Sequence, residues 1–371
     1  MPNIPTDFCT ATTIRRQHDE FISFGGCNYL GLAHHPLVLQ ATQDAIPLYG
    51  LSSSASRETT GNARPHQALE SSITKFCKLQ AGLLVPDGYT ANLAALQGLE
   101  VLGVKHAVID QRAHASLKDA AKLANLEIHL FDHLDADHAH RINARLNEPS
   151  VIMTDSVFTT DGDLAPAHAL HNALKPNDWL LLDDCHGFGV LGNHGNGTAN
   201  ELKLASDQLI VTTTLAKGLG CAGGMVMGAS TPIESARNHS IAYRCTTPAS
   251  PILVAAGMTA LDLLQSDPNI HTNLRRNINH VRDVLRLFDI PTHSLMTPIF
   301  AFTIGNESDM KHIEQSMLDH GIILPLMDYP NGPAPIYFRL SINASHTPEQ
   351  IEQLKAQLAG IITPKLVTHH D

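Results

Sequence analysis

Two short blocks hold the residues best suited to chemistry. The first reads Leu180-Leu181-Leu182-Asp183-Asp184-Cys185-His186-Gly187-Phe188-Gly189-Val190-Leu191-Gly192, an apolar run that ends in two carboxylates and an imidazole. A carboxylate at the end of a buried strand is costly to desolvate without a cationic partner, and a protonated pyridine nitrogen would be one. The plainer alternative is that Asp183 or Asp184 caps the following turn. Gly187, Gly189 and Gly192 also spell G-x-G-x-x-G, the dinucleotide fingerprint of a nicotinamide-dependent oxidoreductase. That reading needs a helix to follow at once, and Asn193-His194-Gly195-Asn196-Gly197 is loop chemistry. Asp183 and His186 could also be half of a metal site, but no second ligand cluster accompanies them, so no metal is expected.

The second block is Thr212-Thr213-Thr214-Leu215-Ala216-Lys217-Gly218-Leu219-Gly220. A lysine directly after a strand and among small residues is sterically open. Its amine could form a Schiff base with an aldehyde, and the Thr214 hydroxyl could hold a phosphate. A solvated surface lysine is the competing reading. Lys217 gains weight because it ends the strand after the one that ends in Asp183, so both groups fall at one sheet edge. Two further strand-to-helix junctions resemble these. Pro86-Asp87-Gly88-Tyr89-Thr90-Ala91-Asn92 opens a helix whose N–H groups suit a phosphate, unless Asp87 is simply an N-cap. Asp110-Gln111-Arg112-Ala113-His114-Ala115-Ser116 places an imidazole, His114, where it could stack on a planar ring.

The elements that must position these groups alternate along the chain. Apolar runs at 81–85, 106–109, 150–154, 179–183 and 208–213 are separated by helical patterns at 89–102, 114–124 and 166–174. Such alternation predicts an α/β fold of βαβ units around a large, mostly parallel sheet, with ligands at the strands' carboxyl ends. A helical stretch over 251–288, broken at Asp267-Pro268, leads to a different texture. Strands at 299–303 and 336–342 and helices at 310–320 and from Pro348 predict a smaller C-terminal α+β domain. The expected division is an N-terminal segment over 1–45, a large domain over 46–285 and a small one over 286–371.

Composition excludes several classes. A chain of 371 residues suggests two to three domains and a large core. With 25 Lys and Arg against 36 Asp and Glu, the net charge of −11 disfavours nucleic-acid partners. No apolar run approaches the roughly 18 residues of a membrane span. Residues 1–10 lack the basic-then-apolar pattern of a secretory signal. The six cysteines form no C-x-x-C pair, which suits a reducing cytoplasm.

In combination these segments resemble the α-oxoamine synthase family of pyridoxal-phosphate-dependent acyltransferases. The resemblance runs from Asn28-Tyr29-Leu30-Gly31-Leu32 through Thr60-Gly61-Asn62 with His66 and Leu69-Glu70, and through Ser156-Val157-Phe158-Thr159-Thr160-Asp161-Gly162-Asp163. It continues over the two blocks above into the C-terminal region. It implies the aminotransferase-like fold type I. By position, Lys217 is similar to the Schiff-base lysine that also moves a proton, Asp183 to the aspartate on the pyridine nitrogen, and His114 to the ring-stacking histidine. His186 and Thr159 match groups near the phenolic oxygen, while Gly88, Tyr89 and Thr214 match phosphate ligands. Thr246 and Thr247 fall near the segment that reaches a partner subunit's phosphate, which implies a homodimer. Arg339 matches the arginine that grips the amino-acid carboxylate, and Asn28 lies on the substrate side.

Thr60-Gly61-Asn62 with His66, and Phe188-Gly189-Val190-Leu191-Gly192, are most similar to the biotin-pathway member. That implies a condensation of L-alanine with a pimeloyl thioester, carried on acyl carrier protein or CoA. Lys217 would remove the α-proton, the carrier would leave, and CO2 would be lost. Glycine C-acetyltransferase and longer-chain acyl relatives are the alternatives within the family, and a non-catalytic cofactor-binding protein is another. Three positions depart from the pattern. Cys27 replaces an asparagine, Asp87 replaces a small hydroxyl residue, and 324–330 lacks an additional arginine.

Overall fold

The computed structural model describes residues 4–329 and 332–362, so Pro330 of the arginine-lacking segment lies outside the described residues. The chain forms two compact units: Met1–His34 with Thr159–Asp163 and Pro268–Asp371, and His35–Phe158 with Leu164–Asp267.

The larger unit is built on seven strands: β1 (Ala81–Val85), β2 (His106–Asp110), β3 (Glu127–Phe131), β4 (Ser150–Asp155), β5 (Trp179–Asp183), β6 (Leu209–Thr214) and β7 (Gly224–Gly228). Their order is β1-β7-β6-β5-β4-β2-β3. Neighbours from β6 to β3 are parallel, and β7 runs antiparallel to both β6 and β1. A strand buried on both faces reads as a continuous apolar run, and β4 and β6 are buried at every position. Alternate strand residues Leu83, Val85, Ile109, Met153, Leu181 and Val226 form one core layer. Against it pack Ala91, Ala95 and Leu99 of helix α1 (Gly88–Val101) and Leu117, Ala120 and Ala121 of α2 (Ala115–Leu123). The period of two in the strands and of 3.6 in the helices produces this layering.

The anticipated strands and helices are present with small shifts at their ends. Within the seven-stranded sheet two strands are additional, and the smaller unit adds short ones of its own. β3 at the sheet edge has exposed and half-buried positions, and β7 begins and ends in glycine.

The smaller unit contains a three-stranded antiparallel sheet in which Tyr337–Ser341 lies between Ile299–Phe302 and Leu326–Met327. A second sheet pairs Thr13–Arg16 with Asp7–Phe8 and Asp19–Ser23, and the last of these with Ile322–Ile323. Helices Glu307–Asp319 and Pro348–Ile361 each open with a reciprocal cap, at Asn306 and Thr347. The long helical stretch divides into Pro251–Ser266 and Pro268–Arg286 at the anticipated break. Proline forces the residue before it out of helix, and Asp267 sits at φ −107°, ψ 98°. The two units part at this point. No helix of the described residues is long and apolar enough to cross a membrane.

Candidate active site

Because β1, β2, β4, β5 and β6 all run the same way, their carboxyl ends deliver side chains to one edge. A cavity there is lined by Gly88 and Tyr89 after β1, His114 and Ser116 after β2, Asp155 from β4, Asp183, Cys185 and His186 from β5, and Thr214 and Lys217 from β6. Seven of the residues singled out in the sequence, Gly88, Tyr89, His114, Asp183, His186, Thr214 and Lys217, therefore share one site. Ser116, Asp155 and Cys185 join them.

Asp183 is 4% exposed and anchors the floor. Its Oδ2 accepts from Asn92 Nδ2 at 2.7 Å and its Oδ1 from the Cys185 N–H at 3.1 Å. Asn92 comes from α1, donates also to Ser116 Oγ at 2.9 Å, and accepts from Thr212 Oγ1 at 2.5 Å. It thus ties β6, α1 and α2 to the carboxylate. Removing a buried polar partner leaves its neighbours unsatisfied, at about 1–3 kcal/mol. Asn92→Ala is expected to lower unfolding stability by that amount in chemical denaturation; a midpoint equal to wild type would refute the assignment.

Asp155 lies directly opposite Asp183 in the β4–β5 ladder and accepts from the His114 N–H at 2.8 Å. Burial first, and then the negative charge of Asp183, push its carboxyl well above the usual carboxylate range, against the pull of the His114 amide and Lys217. Asp155 therefore holds its proton more tightly than an ordinary carboxyl does. His114 holds its ring through Nδ1, 2.7 Å from Ser116 Oγ. Burial lowers its pKa, so the imidazole is neutral at pH 7 and presents an uncharged face.

Lys217 Nζ lies 2.7 Å from His186 Nε2. It belongs to a single helical turn, Leu215–Gly218, whose cap is the Thr214 hydroxyl, accepting from the Ala216 N–H at 3.2 Å. Across the cavity α1 begins. Asp87 is its N-cap, Oδ1 accepting from the Thr90 N–H at 2.7 Å, so the acidic departure at this position is occupied in capping. The first four N–H groups of a helix lack helical partners, and those of Gly88 and Tyr89 precede the one that Asp87 takes. A side chain at position 88 would put its Cβ 3.0 Å from Thr214 Cβ and 3.2 Å from Cys185 Sγ, so glycine keeps this corner open. The Tyr89 hydroxyl donates to Asp119 Oδ2 at 2.7 Å.

Asp184 faces away from this set. Its carboxylate accepts from Ser156 Oγ at 2.5 Å, Thr198 Oγ1 at 2.5 Å and the Thr198 N–H at 3.0 Å. Gly187 packs against this cluster, where a Cβ would fall 2.1 Å from Thr198 Oγ1. The glycines of the apparent dinucleotide fingerprint thus serve a turn, and only a four-residue helix, Thr198–Glu201, follows. Despite its hydrogen bonds, burial raises the Asp184 pKa from 3.8 to about 6. A raised acid pKa means the folded state binds the proton more tightly, so stability falls as pH rises from about 4 to about 6 and is level above. The difference in stability between wild type and Asp184→Asn is expected to move by about 3 kcal/mol across that window, against wild type with rising pH. A pH-independent difference would contradict it.

His66 has a structural task. Nδ1 accepts from the Ala63 N–H at 3.0 Å and Nε2 meets Ala249 O at 2.8 Å, completing a helix cap. Thr246 and Thr247 lie between helices Ile241–Arg244 and Pro251–Ser266, outside the cavity lining.

In the smaller unit, Arg339 is buried on the central strand Tyr337–Ser341. Its Nε donates to Thr159 O at 2.5 Å and Nη1 to Ser341 Oγ at 2.9 Å, while Nη2 lies 3.9 Å from Cys27 Sγ. Burial and the nearby Cys27 push the Tyr29 hydroxyl well up, opposed by Arg339. The Asn28 carbonyl accepts from Asn343 Nδ2, and its Oδ1 receives the Ala33 N–H at 3.5 Å.

A seven-stranded sheet of this order, with its site at the carboxyl ends, defines a fold type I enzyme of the pyridoxal-phosphate-dependent class. The family model for class I and II aminotransferases matches residues 19–358, and the chain belongs to that family. It is 35% identical over 351 residues to the 8-amino-7-oxononanoate synthase of Nitrosomonas eutropha, covering 91% of this chain and 89% of that one. With the 8-amino-7-oxononanoate synthase of Methylobacillus flagellatus it shares 34% over 337 residues, 90% of this chain and 85% of the relative. Among solved structures, Sphingomonas wittichii serine palmitoyltransferase superposes with a TM-score of 0.90 at 25% identity, over 97% of this chain and 92% of that one. The 8-amino-7-oxononanoate synthase of Francisella tularensis has the same fold, with a TM-score of 0.78 at 23% identity, over 92% and 97%.

Proposed function

We propose that this chain catalyses the pyridoxal-phosphate-dependent condensation of L-alanine with a pimeloyl thioester to 8-amino-7-oxononanoate, with release of CO2 and the thiol carrier, in biotin synthesis. The observation that carries this reading is the Lys217–His186 pair beside the buried Asp183 carboxylate, in a chain 35% identical to a synthase of that name.

The donor set suits the cofactor. Lys217 offers an amine, Asp183 a buried carboxylate for a ring N–H, and His114 a neutral ring face. The start of α1 at Gly88 and Tyr89, with the Thr214 hydroxyl, offers donors for a phosphate. When bound, pyridoxal phosphate supplies an electron-withdrawing ring that stabilises negative charge on the amino acid's α-carbon. Lys217 acts as the base that takes the α-proton. His186 Nε2 accepts a hydrogen bond from the Nζ ammonium, and with its own proton there it donates to the free amine. The pair thus positions Nζ in either protonation state. Asp183 holds a proton on the ring nitrogen, with Asn92 and the Cys185 N–H fixing its two oxygens. Arg339 is the proposed ligand of the amino-acid carboxylate, for which a guanidinium fork is well shaped. By resemblance, Thr159 is assigned with His186 to the neighbourhood of the cofactor's phenolic oxygen, and Asn28 to the substrate side.

The cofactor domain is taken as 46–285 and the small domain as 286–371, after an N-terminal segment over 1–45. A homodimer in the cytoplasm completes the reading, with Thr246 and Thr247 of one protomer reaching the phosphate held by its partner.

The test supplies the holoenzyme with carboxyl-labelled L-alanine and pimeloyl-CoA or pimeloyl acyl carrier protein. One CO2 per thiol released, with alanine preferred to glycine, is expected. Preference for glycine with acetyl-CoA would reassign the chain to glycine C-acetyltransferase. Absence of CO2 with every thioester would make it a non-catalytic binder.

A further inference from the structure

At the end of the sheet opposite the active site, three ligating side chains converge. His106 opens β2, and Glu127 and His129 lie two residues apart on the edge strand β3, so their side chains share a face. The strand register places His106 directly opposite Glu127 and Val108 opposite His129, which holds all three on paired backbone. His129 Nε2 is 3.2 Å from His106 Nδ1. Glu127 Oε2 is 3.5 Å from His106 Nδ1, and Glu127 Oε1 is 3.7 Å from His129 Nε2.

These separations match a metal's coordination shell. Ligand atoms held ~2.1 Å from a tetrahedral zinc lie roughly 3.4 Å from one another. We propose that His106, His129 and Glu127 form a binding site for one borderline divalent cation of the zinc class, distinct from the catalytic cavity. Two imidazoles and one carboxylate favour Zn2+, Co2+ or Ni2+ over Mg2+ and Ca2+, which take oxygen shells. His106 uses Nδ1 toward the ion, and Glu148 Oε2 lies 3.7 Å from its Nε2. That is an ion-pair rather than a hydrogen-bond distance, and a small approach of the exposed Glu148 would complete the carboxylate–histidine–metal arrangement that fixes a ligand's tautomer and ring orientation. Without the ion, the His129 Nε2 proton can bridge to His106 Nδ1. On binding, it moves to His129 Nδ1, so no net proton is lost from neutral imidazoles.

Burial grades suitably across the cluster. The side chains of His106 and His129 are 12% and 23% exposed, whereas that of Glu127 is 67% exposed and leaves room for a solvent ligand. A bound ion would clip the edge strand β3 to β2 and raise thermal stability without touching the reacting groups.

The test titrates tag-free holoprotein with Co2+ and follows the visible bands of tetrahedral cobalt, then displaces it with Zn2+. One Co2+ per chain is expected. Glu127→Gln should weaken binding at least ~10-fold, Glu148→Gln about 10-fold, and the double variant His106→Ala/His129→Ala should abolish it. Replacing His369 and His370, the histidines near the chain's end, should change nothing. Circular dichroism establishes that each variant is folded, and Glu127→Gln alters only an exposed side chain. The site is disproved by absence of Co2+ binding, by equal binding in the double variant, or by Mg2+ competing as well as Zn2+. Because metal retention is read without turnover, these outcomes are independent of the alanine assay.

Discussion

Lys217→Ala is expected to reduce CO2 release from L-alanine by at least about 10⁴-fold while leaving the fold intact. A positioned general base contributes roughly 10²–10⁴-fold, and loss of the covalent attachment point adds to that. Among the described residues, Lys217 carries the one amine lining the cavity, so no neighbour there can substitute for it. Its helical turn is held by the Thr214 cap, which truncation at Cβ leaves in place. Two measurements separate chemistry from packing. Borohydride should fix the cofactor to wild-type polypeptide at Lys217 and to no residue of the variant. Lys217→Arg should be equally inactive, because a guanidinium keeps the positive charge but does not lose its proton near pH 7. Activity within tenfold of wild type in either variant would remove Lys217 from the mechanism. The assay must be run with added cofactor, so that weak binding is not mistaken for lost chemistry.

The site's main groups were legible because of where the apolar runs stop. In a parallel sheet the functional edge is at the carboxyl ends, and Asp183, Thr214 and His114 end, or follow within four residues, runs that read as buried strands. Asp155 carries the same signal at the end of β4, but no basic residue or glycine follows closely to suggest a ligand. Asn92 could not be found this way. It lies within α1, and its task depends on Asp183, 91 positions later, and on Thr212, 120 positions later. Strand β3 was hidden for the opposite reason: at an edge, with polar His129 and exposed Glu127, it lacks the continuous apolar pattern of its neighbours. The pairing of Ser23 with Ile323 also lies outside local sequence reading, because a parallel pair of short strands leaves no turn between them. Arg339 is singled out in the sequence by the family resemblance alone, and its partners Thr159, Ser341 and Cys27 emerge only in the folded unit.

Asp183→Asn is expected to lower kcat about 10²–10³-fold, the usual effect of removing one preorganised electrostatic partner. The substitution preserves size, and the Cys185 N–H can still be accepted by Oδ1. At Oδ2 an amide would set a second NH2 group against Asn92 Nδ2, where a 2.7 Å bond now forms. Asn92 cannot simply turn over, because its Oδ1 accepts from Thr212 and its Nδ2 also serves Ser116. A local loss of hydrogen bonding is therefore built in, at about 1–3 kcal/mol. Part of it is offset by the charge that is removed: Asp155, held high by burial and then by Asp183, should fall back toward the ordinary carboxylate range. The net effect on unfolding should consequently be smaller than that of Asn92→Ala, whereas the effect on kcat should be larger. That inversion separates the roles, because a purely structural Asp183 would rank the two variants the same way in both measurements. The decisive result is kcat at saturating alanine with the cofactor site filled, and a value within fivefold of wild type would exclude Asp183 as the ring-nitrogen partner.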